Sequence, residues 1–282
     1  MIAPRLPIHW PQAELGILTA LLGACFGSFL NVVVWRLPRE ESVLWPPSHC
    51  PRCGTFLAWF ENIPLLSWMV LRGRCRHCQA PISLGYPAVE ALCSGVWVLL
   101  LVARPDAMGP SPLPALVWLA GWIFGSLLLL LALLDGDQLW IPEPLTRWGV
   151  VAGWLVTGWV GWQQAPALAR SLLASHLVAA ALGLLGFEAL AALAARCMGR
   201  PALGSGDGKV AALLGAWLGP LGLALAVMVA VLLAALFGGL GLLCGALKRH
   251  QPIPFVPFLA LGGGLLWWTG VSPWQSWWMG SW

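Results

Sequence analysis

Asp135 and Asp207 are two of only four aspartates in a chain of 282 residues, and each stands at the end of a long hydrophobic run. A carboxylate deep in a bilayer costs about 2.5–3.5 kcal/mol on insertion scales, so its presence beside apolar sequence asks for a chemical reason. Two such groups at one site can share a proton, because like charges a few ångströms apart do not both ionise cheaply. One then activates water as a base while the other, protonated, polarises a carbonyl. That is aspartic peptidase chemistry, and it needs neither metal nor covalent intermediate.

Asp207 lies in Gly204-Ser205-Gly206-Asp207-Gly208-Lys209. The glycines remove side chains around the carboxylate and leave room for a substrate backbone. The segment is not a phosphate loop. It lacks the four-residue spacer before Gly-Lys, and Val210 stands where Ser or Thr would hold magnesium. Taken singly, Asp207 reads equally well as a helix N-cap and Asp135 as a solvated interfacial group. Only as a pair on one membrane face do they make a site. Asp137, two residues on, competes with Asp135 and is expected to be solvated.

A second constellation is built from sulfur. Cys50-Pro51-Arg52-Cys53 and Cys75-Arg76-His77-Cys78 are two C-x-x-C knuckles separated by 21 residues. Two such knuckles offer four thiolates in a tetrahedron, the set structural zinc prefers. His49 and His77 adjoin them and could replace a thiolate, although four cysteines already complete the site. Paired disulfides are the alternative, but the basic residues of this stretch place it in the cytoplasm, where thiols stay reduced. Cys25, Cys93, Cys197 and Cys244 lack such spacing and read as packing residues.

The elements that must carry these groups follow from composition. The chain is 59% hydrophobic and 9% charged, far from the roughly 25% charged residues of a soluble domain. Apolar stretches fall at about 12–34, 87–104, 114–134, 145–162, 172–195, 207–247 and 255–272, and each of about 17–25 residues suffices for one crossing. The 41 residues of 207–247 are broken at Gly219-Pro220 and count as two. The expected fold is therefore all-α: a polytopic membrane bundle of about eight transmembrane helices. A small cytoplasmic zinc-binding domain lies between the first two. The expected divisions are 1–34 for the N-terminal segment and first helix, 35–86 for the four-cysteine domain, and 87–282 for the bundle that carries both aspartates. The first run is expected to be retained as a helix, because it has neither a basic region before it nor a small-residue cleavage site.

With eight spans and the N-terminus outside, twelve of the fifteen basic residues lie inside: Arg36, Arg39, Arg52, Arg72, Arg74, Arg76, Arg147, Arg196, Arg200, Lys209, Lys248 and Arg249. Arg5, Arg104 and Arg170 fall outside. This bias fixes the orientation and brings Asp135 and Asp207 to the same cytoplasmic face. The net charge of +4 is thus a topology signal, and no basic stripe with interleaved aromatics points to nucleic acid. Trp10, Trp35, Trp140, Trp162, Trp274, Trp277, Trp278 and Trp282 sit at span ends, where interfacial anchoring explains them. Glu188 and His176 fall within the fifth span as proton-pathway candidates, a paired structural role being favoured for Glu188. Glu61 and Glu90 flank the cysteine segment, where charge pairing is the default.

The motifs resemble those of the bacterial type IV prepilin peptidases. Gly27-Ser28-Phe29-Leu30-Asn31-Val32-Val33-Val34-Trp35-Arg36-Leu37-Pro38 is similar to the family's N-terminal signature. The knuckles follow, with Asn62-Ile63-Pro64-Leu65-Leu66-Ser67-Trp68 between them and Tyr86-Pro87-Ala88-Val89-Glu90 after them. The resemblance matches Asp135 to the first catalytic aspartate, seven residues before Pro142, and Asp207 to that of the G-x-G-D-x-K motif. It also prefers Asp135 to Asp137. Glu143 departs from the Asp or Asn usual after that proline. The resemblance implies an enzyme of the bacterial cytoplasmic (inner) membrane that removes the leader of type IV prepilins or type II secretion pseudopilins, typically between Gly and Phe. It further implies N-methylation of the new terminus with S-adenosylmethionine, for which the sequence offers no Gly-rich nucleotide loop. A proton-coupled transporter using Asp135, Asp207 and Glu188 as a relay is the competing reading, and predicts carboxylates at graded depths. A membrane scaffold with a partner-binding zinc module is the third.

Overall fold

The computed structural model describes residues 10–102, 114–199, 204–248, 251–271 and 273–274. Arg5, Arg104, Arg200, Arg249, Trp277, Trp278 and Trp282 lie outside them. The described residues form helices α1 (Trp10–Arg36), α2 (Leu66–Val70), α3 (Gly85–Val102), α4 (Pro114–Gln138), α5 (Glu143–Gln164), α6 (Pro166–Met198), α7 (Ser205–Leu243) and α8 (Val256–Thr269). Two isolated β-bridges occur among them and no strand. Five helices, α1, α3, α4, α6 and α7, are long and apolar enough to cross a membrane. The chain is a multi-pass membrane protein. Against the expected eight, α7 counts here as one span, α5 is not among the five, and α8 is a shorter apolar helix.

The chain divides into two compact units, residues 1–102 and 103–282. In the first, α1 packs on α3 through Gly23 and Gly27, a small-xxx-small pair that lets two backbones approach closely. A Cβ on Gly27 would lie 2.7 Å from the Cα of Glu90, and one on Gly23 would lie 2.9 Å from that of Ser94. The Ser94 hydroxyl donates across this contact to the Ala20 carbonyl at 2.9 Å.

In the second unit α6 and α7 meet in the same way. A Cβ on Gly183 would lie 2.7 Å from the Ala211 carbonyl, and one on Gly215 would lie 2.6 Å from that of Ala179. Because the obstruction is backbone, a side chain there forces the helices apart. Gly215→Val is expected to destabilise the bundle by about 1–3 kcal/mol, the usual range for overpacking, and thermal unfolding in detergent reads it. Helix α7 leaves helical geometry at Gly219, with φ 70° and ψ −175°, just before Pro220. The residues before the break make a rod of about 21 Å at 1.5 Å per residue, and this rod carries Asp207 at its free end. At the break Trp217 stacks on Phe124, ring centroids 4.8 Å apart, and meets Trp267 edge-on at 5.7 Å. Trp35, Trp140 and Trp162 are exposed, as interfacial anchoring expects. Trp217 and Trp267 are core residues instead.

Candidate functional site

Asp135 occupies the last turn of α4, where Leu139 adopts a left-handed φ of 52° and ends the helix. Its side chain is buried, and Oδ2 accepts the N–H of Val256 at 3.0 Å. Val256 opens α8, so the carboxylate satisfies one of the donors a helix N-terminus leaves unpaired. Asp207 stands in the first turn of α7, and its Oδ2 accepts the Gly204 N–H at 3.1 Å. The Asp207 N–H returns a bond to the Gly204 carbonyl at 3.3 Å. Each aspartate thus commits one oxygen to a backbone donor. The two carboxylates are near enough to interact electrostatically, while Asp137 is exposed.

The segment between α4 and α5 closes against the start of α7. Ile141 fills the space beside Gly206, where a Cβ would lie 2.6 Å from its Cγ1. Gly208 faces the Leu184 carbonyl and Phe187 on α6, at 3.2 and 3.3 Å from such a Cβ. This corrects the expectation that all three glycines leave room for substrate: Gly206 and Gly208 are consumed by packing. Only Gly204 has no neighbour there apart from its own turn and Asp207. Glu143 lies 4.0 Å from Lys209 Nζ and accepts a hydrogen bond from Arg147. The pairs are largely exposed, so Glu143→Ala is expected to change stability by about 1 kcal/mol or less, which the same unfolding measurement checks.

Glu188 is exposed on α6, without the expected ion-pair partner among the described residues. His176 lies at the α7 break. From there to Asp207 is twelve helical residues, about 18 Å, so His176 does not join the carboxylates.

The four knuckle cysteines converge in the first unit. Their Sγ atoms all lie within 4.8 Å of one another, and those of Cys50 and Cys78 are 3.8 Å apart. Thiolates 2.3 Å from a tetrahedral zinc would be separated by about 3.8 Å, so the donor set fits that metal. The knuckles repeat one backbone pattern. Cys50 N–H donates to Thr55 O at 2.9 Å and Gly54 N–H to Cys50 O at 2.8 Å; Cys75 N–H donates to Ala80 O at 2.8 Å and Gln79 N–H to Cys75 O at 3.0 Å. Gly54 and Gln79 hold equivalent left-handed positions. Hydrogen bonds from Thr55 hold the Cys53 thiol down at about 6, and the N–H groups of Cys78 and His77 lower Cys75. Cys78 gains from the Ala80 N–H, yet desolvation and the neighbouring sulfurs push it up to about 11. Crowded thiols that oppose one another's ionisation are what a cation resolves. His49 and His77 are not in the cluster: His49 Nδ1 lies 3.1 Å from the Pro47 carbonyl and His77 Nε2 lies 3.9 Å from Glu61.

Sequence reasoning missed what Glu61 and Glu90 do. Both are buried. Glu61 accepts the Ala58 N–H at 2.9 Å, and Glu90 reaches back 25 residues to the Leu65 N–H at 2.7 Å. Leu65 has a left-handed φ of 63°, strained for a leucine, and Glu90 holds it there. Asn31 in turn donates to the Tyr86 carbonyl at 3.1 Å. Of the two, only Glu61 has a basic side chain within 4 Å among the described residues, that of His77. Backbone anchoring describes both.

Residues 21–104 match the bacterial peptidase A24 N-terminal domain, and residues 122–240 match the type IV leader peptidase family. A prepilin leader peptidase/N-methyltransferase of Myxococcus xanthus is 41% identical over 198 residues, 70% of this chain and 54% of that protein. A type 4 prepilin-like proteins leader peptide-processing enzyme of Escherichia coli is 33% identical over 271 residues, covering 89% of this chain and 93% of its own. A prepilin leader peptidase/N-methyltransferase of Aeromonas hydrophila is 35% identical over 289 residues, 91% and 92% of the respective chains. No solved structure matches.

Proposed function

The chain belongs to the type IV leader peptidase family, and from that premise we propose that it is a membrane aspartic endopeptidase that removes the leader of prepilins or pseudopilins. Asp135 and Asp207 are its acid and base. The observation that carries this reading is two buried carboxylates at one end of the bundle, each oriented by a backbone N–H. With one of the pair ionised and the other protonated, the ionised group takes a proton from water as its oxygen bonds to the scissile carbonyl carbon. The protonated partner donates to the carbonyl oxygen. As the tetrahedral intermediate collapses the C–N bond breaks, the proton held by the base passes to the leaving amine, and the partner carboxylate takes a hydroxyl proton back as the new carbonyl forms, which restores the singly protonated pair.

The site faces the cytoplasm of a bacterial inner membrane. Arg147 and Lys209 flank the carboxylate end of the bundle while Arg170 opens α6 at the other, as the positive-inside rule requires of that side. Residues 35–86 form a metal module whose zinc is held by Cys50, Cys53, Cys75 and Cys78, and whose role is structural. The named activities of the relatives support a second step, N-methylation of the new terminus by S-adenosylmethionine. No residue is assigned to the donor. No observation favours a proton-coupled transporter: Glu188 is exposed on α6, and His176 lies about 18 Å from Asp207 along α7.

Incubation of the purified protein with a prepilin, with and without S-adenosylmethionine, followed by mass measurement, tests both steps. The expected products are a chain shortened by its leader and, with the donor, the same chain heavier by one methyl group. Intact substrate under conditions where a relative cleaves it would overturn the peptidase reading.

A further inference from the structure

Pro220 has no N–H, so the carbonyl of Ala216, four residues earlier, has no helical donor to meet it. Inside an apolar bundle such a carbonyl must find another partner. It finds two, from two different helices. His176 Nδ1 on α6 lies 3.0 Å from the Ala216 oxygen and Thr157 Oγ1 on α5 lies 3.4 Å from it. The carbonyl offers only lone pairs, so the imidazole must carry its proton on Nδ1. Gly219 completes the arrangement. Its φ of 70° is one that glycine adopts without strain, and a Cβ there would lie 2.8 Å from His176 Nε2. The imidazole takes the space a side chain would need.

One residue before the break, the Trp217 indole N–H donates to the Gly149 carbonyl on α5 at 2.8 Å, and its ring stacks on Phe124 of α4. The rod from Ser205 to Leu218 is therefore fixed at its far end by groups from α4, α5 and α6, and Asp207 rides on its free end. Over about 18 Å, a tilt of roughly 3° moves that end by about 1 Å, and a misplacement of that size can cost about 10²-fold in rate. The imidazole is too distant to touch the reacting atoms, so any influence on the reaction passes through the helix.

We infer that His176, assisted by Thr157, is a positioning residue that sets the axis of the first half of α7 and so the placement of Asp207 against Asp135. The inference rests on the proposed peptidase reading. It also gives His176 a role other than proton transfer, since its Nδ1–H is committed to a backbone oxygen and the Thr157 hydroxyl lies 3.3 Å from the same nitrogen.

The test compares His176→Leu, His176→Asn and Thr157→Val in the full-length protein, with a prepilin as substrate. Leucine keeps bulk and removes the donor. Asparagine places Nδ2 at the same number of bonds from the backbone as Nδ1 of histidine. His176→Leu is expected to lower kcat by about 10–100-fold with KM within about two-fold of wild type. His176→Asn is expected to recover most of that loss, and Thr157→Val to lower kcat by a few-fold without changing KM. Should His176→Leu fail to accumulate, the asparagine and valine variants carry the same reading. Wild-type kcat in His176→Leu, or a loss that asparagine does not relieve, overturns the inference while leaving the peptidase intact. Absence of cleavage by wild type overturns the peptidase reading instead.

Discussion

Asp135→Asn and Asp207→Asn each reduce leader removal by about 10²–10⁴-fold, the contribution typical of a positioned acid or base, while the protein inserts and accumulates normally. The structure makes this a clean substitution. The Asn Oδ1 can still accept the Val256 N–H at position 135, or the Gly204 N–H at position 207, so the helix-terminal bonds survive. What is lost is ionisation. Alanine at either position would remove the bond as well, and a missing cap costs about 0.5–2 kcal/mol; the difference between the Asn and Ala variants in unfolding then separates capping from catalysis. Asp137→Asn is the control: an exposed carboxylate beside the site leaves the rate unchanged. Quantitative mass spectrometry of the prepilin product reads all three. Near-normal cleavage by either Asn variant would return that residue to the bland reading it invites on its own, a helix cap for Asp207 or an interfacial group for Asp135.

That bland reading shows where the sequence stops being informative. Hydropathy and the Gly219-Pro220 pair announced membrane helices and a break, because both are local properties of the chain. The knuckles were legible for the same reason: two cysteines three residues apart define half of a tetrahedral site before any fold exists. What could not be read is whatever depends on residues distant in the chain meeting in space. Asp135 meets Val256 across 121 positions, and Glu90 meets Leu65 across 25. Glycines suffered most. Gly204, Gly206 and Gly208 look alike in sequence, and only the arrival of Ile141 and Phe187 shows that two of them serve packing. His176 is the converse case. A histidine in an apolar helix suggests proton transfer, and the reason for its presence, a carbonyl deprived of its donor by Pro220, lies 40 residues away on another helix.

Removal of metal from the four-cysteine module unfolds it and leaves the second unit's bundle standing. Among the described residues, the buried hydrophobic cluster of this module is Cys50, Cys75 and Ala80, far too little apolar surface to order some fifty residues, and two of its three members belong to the four-cysteine cluster. Structural zinc supplies about 10–16 kcal/mol of apparent binding energy in comparable small domains, so the zinc proposed for this module would take the place of a core. Elemental analysis is expected to find one zinc per chain. After chelation, trypsin is expected to cut at Arg52, Arg72, Arg74 and Arg76, all exposed and protected in the holoprotein only by the order of the backbone around them. Cys75→Ser is expected to reproduce the same cleavage pattern without chelator, because Cys75 is both a proposed ligand and a buried member of the cluster. The helices of residues 103–282 form their own compact unit, and their thermal unfolding is expected to be unchanged by chelation. If the metal-free protein resists trypsin as well as the zinc-loaded one, the knuckles are held by their hydrogen bonds alone, and the zinc assignment loses its structural rationale.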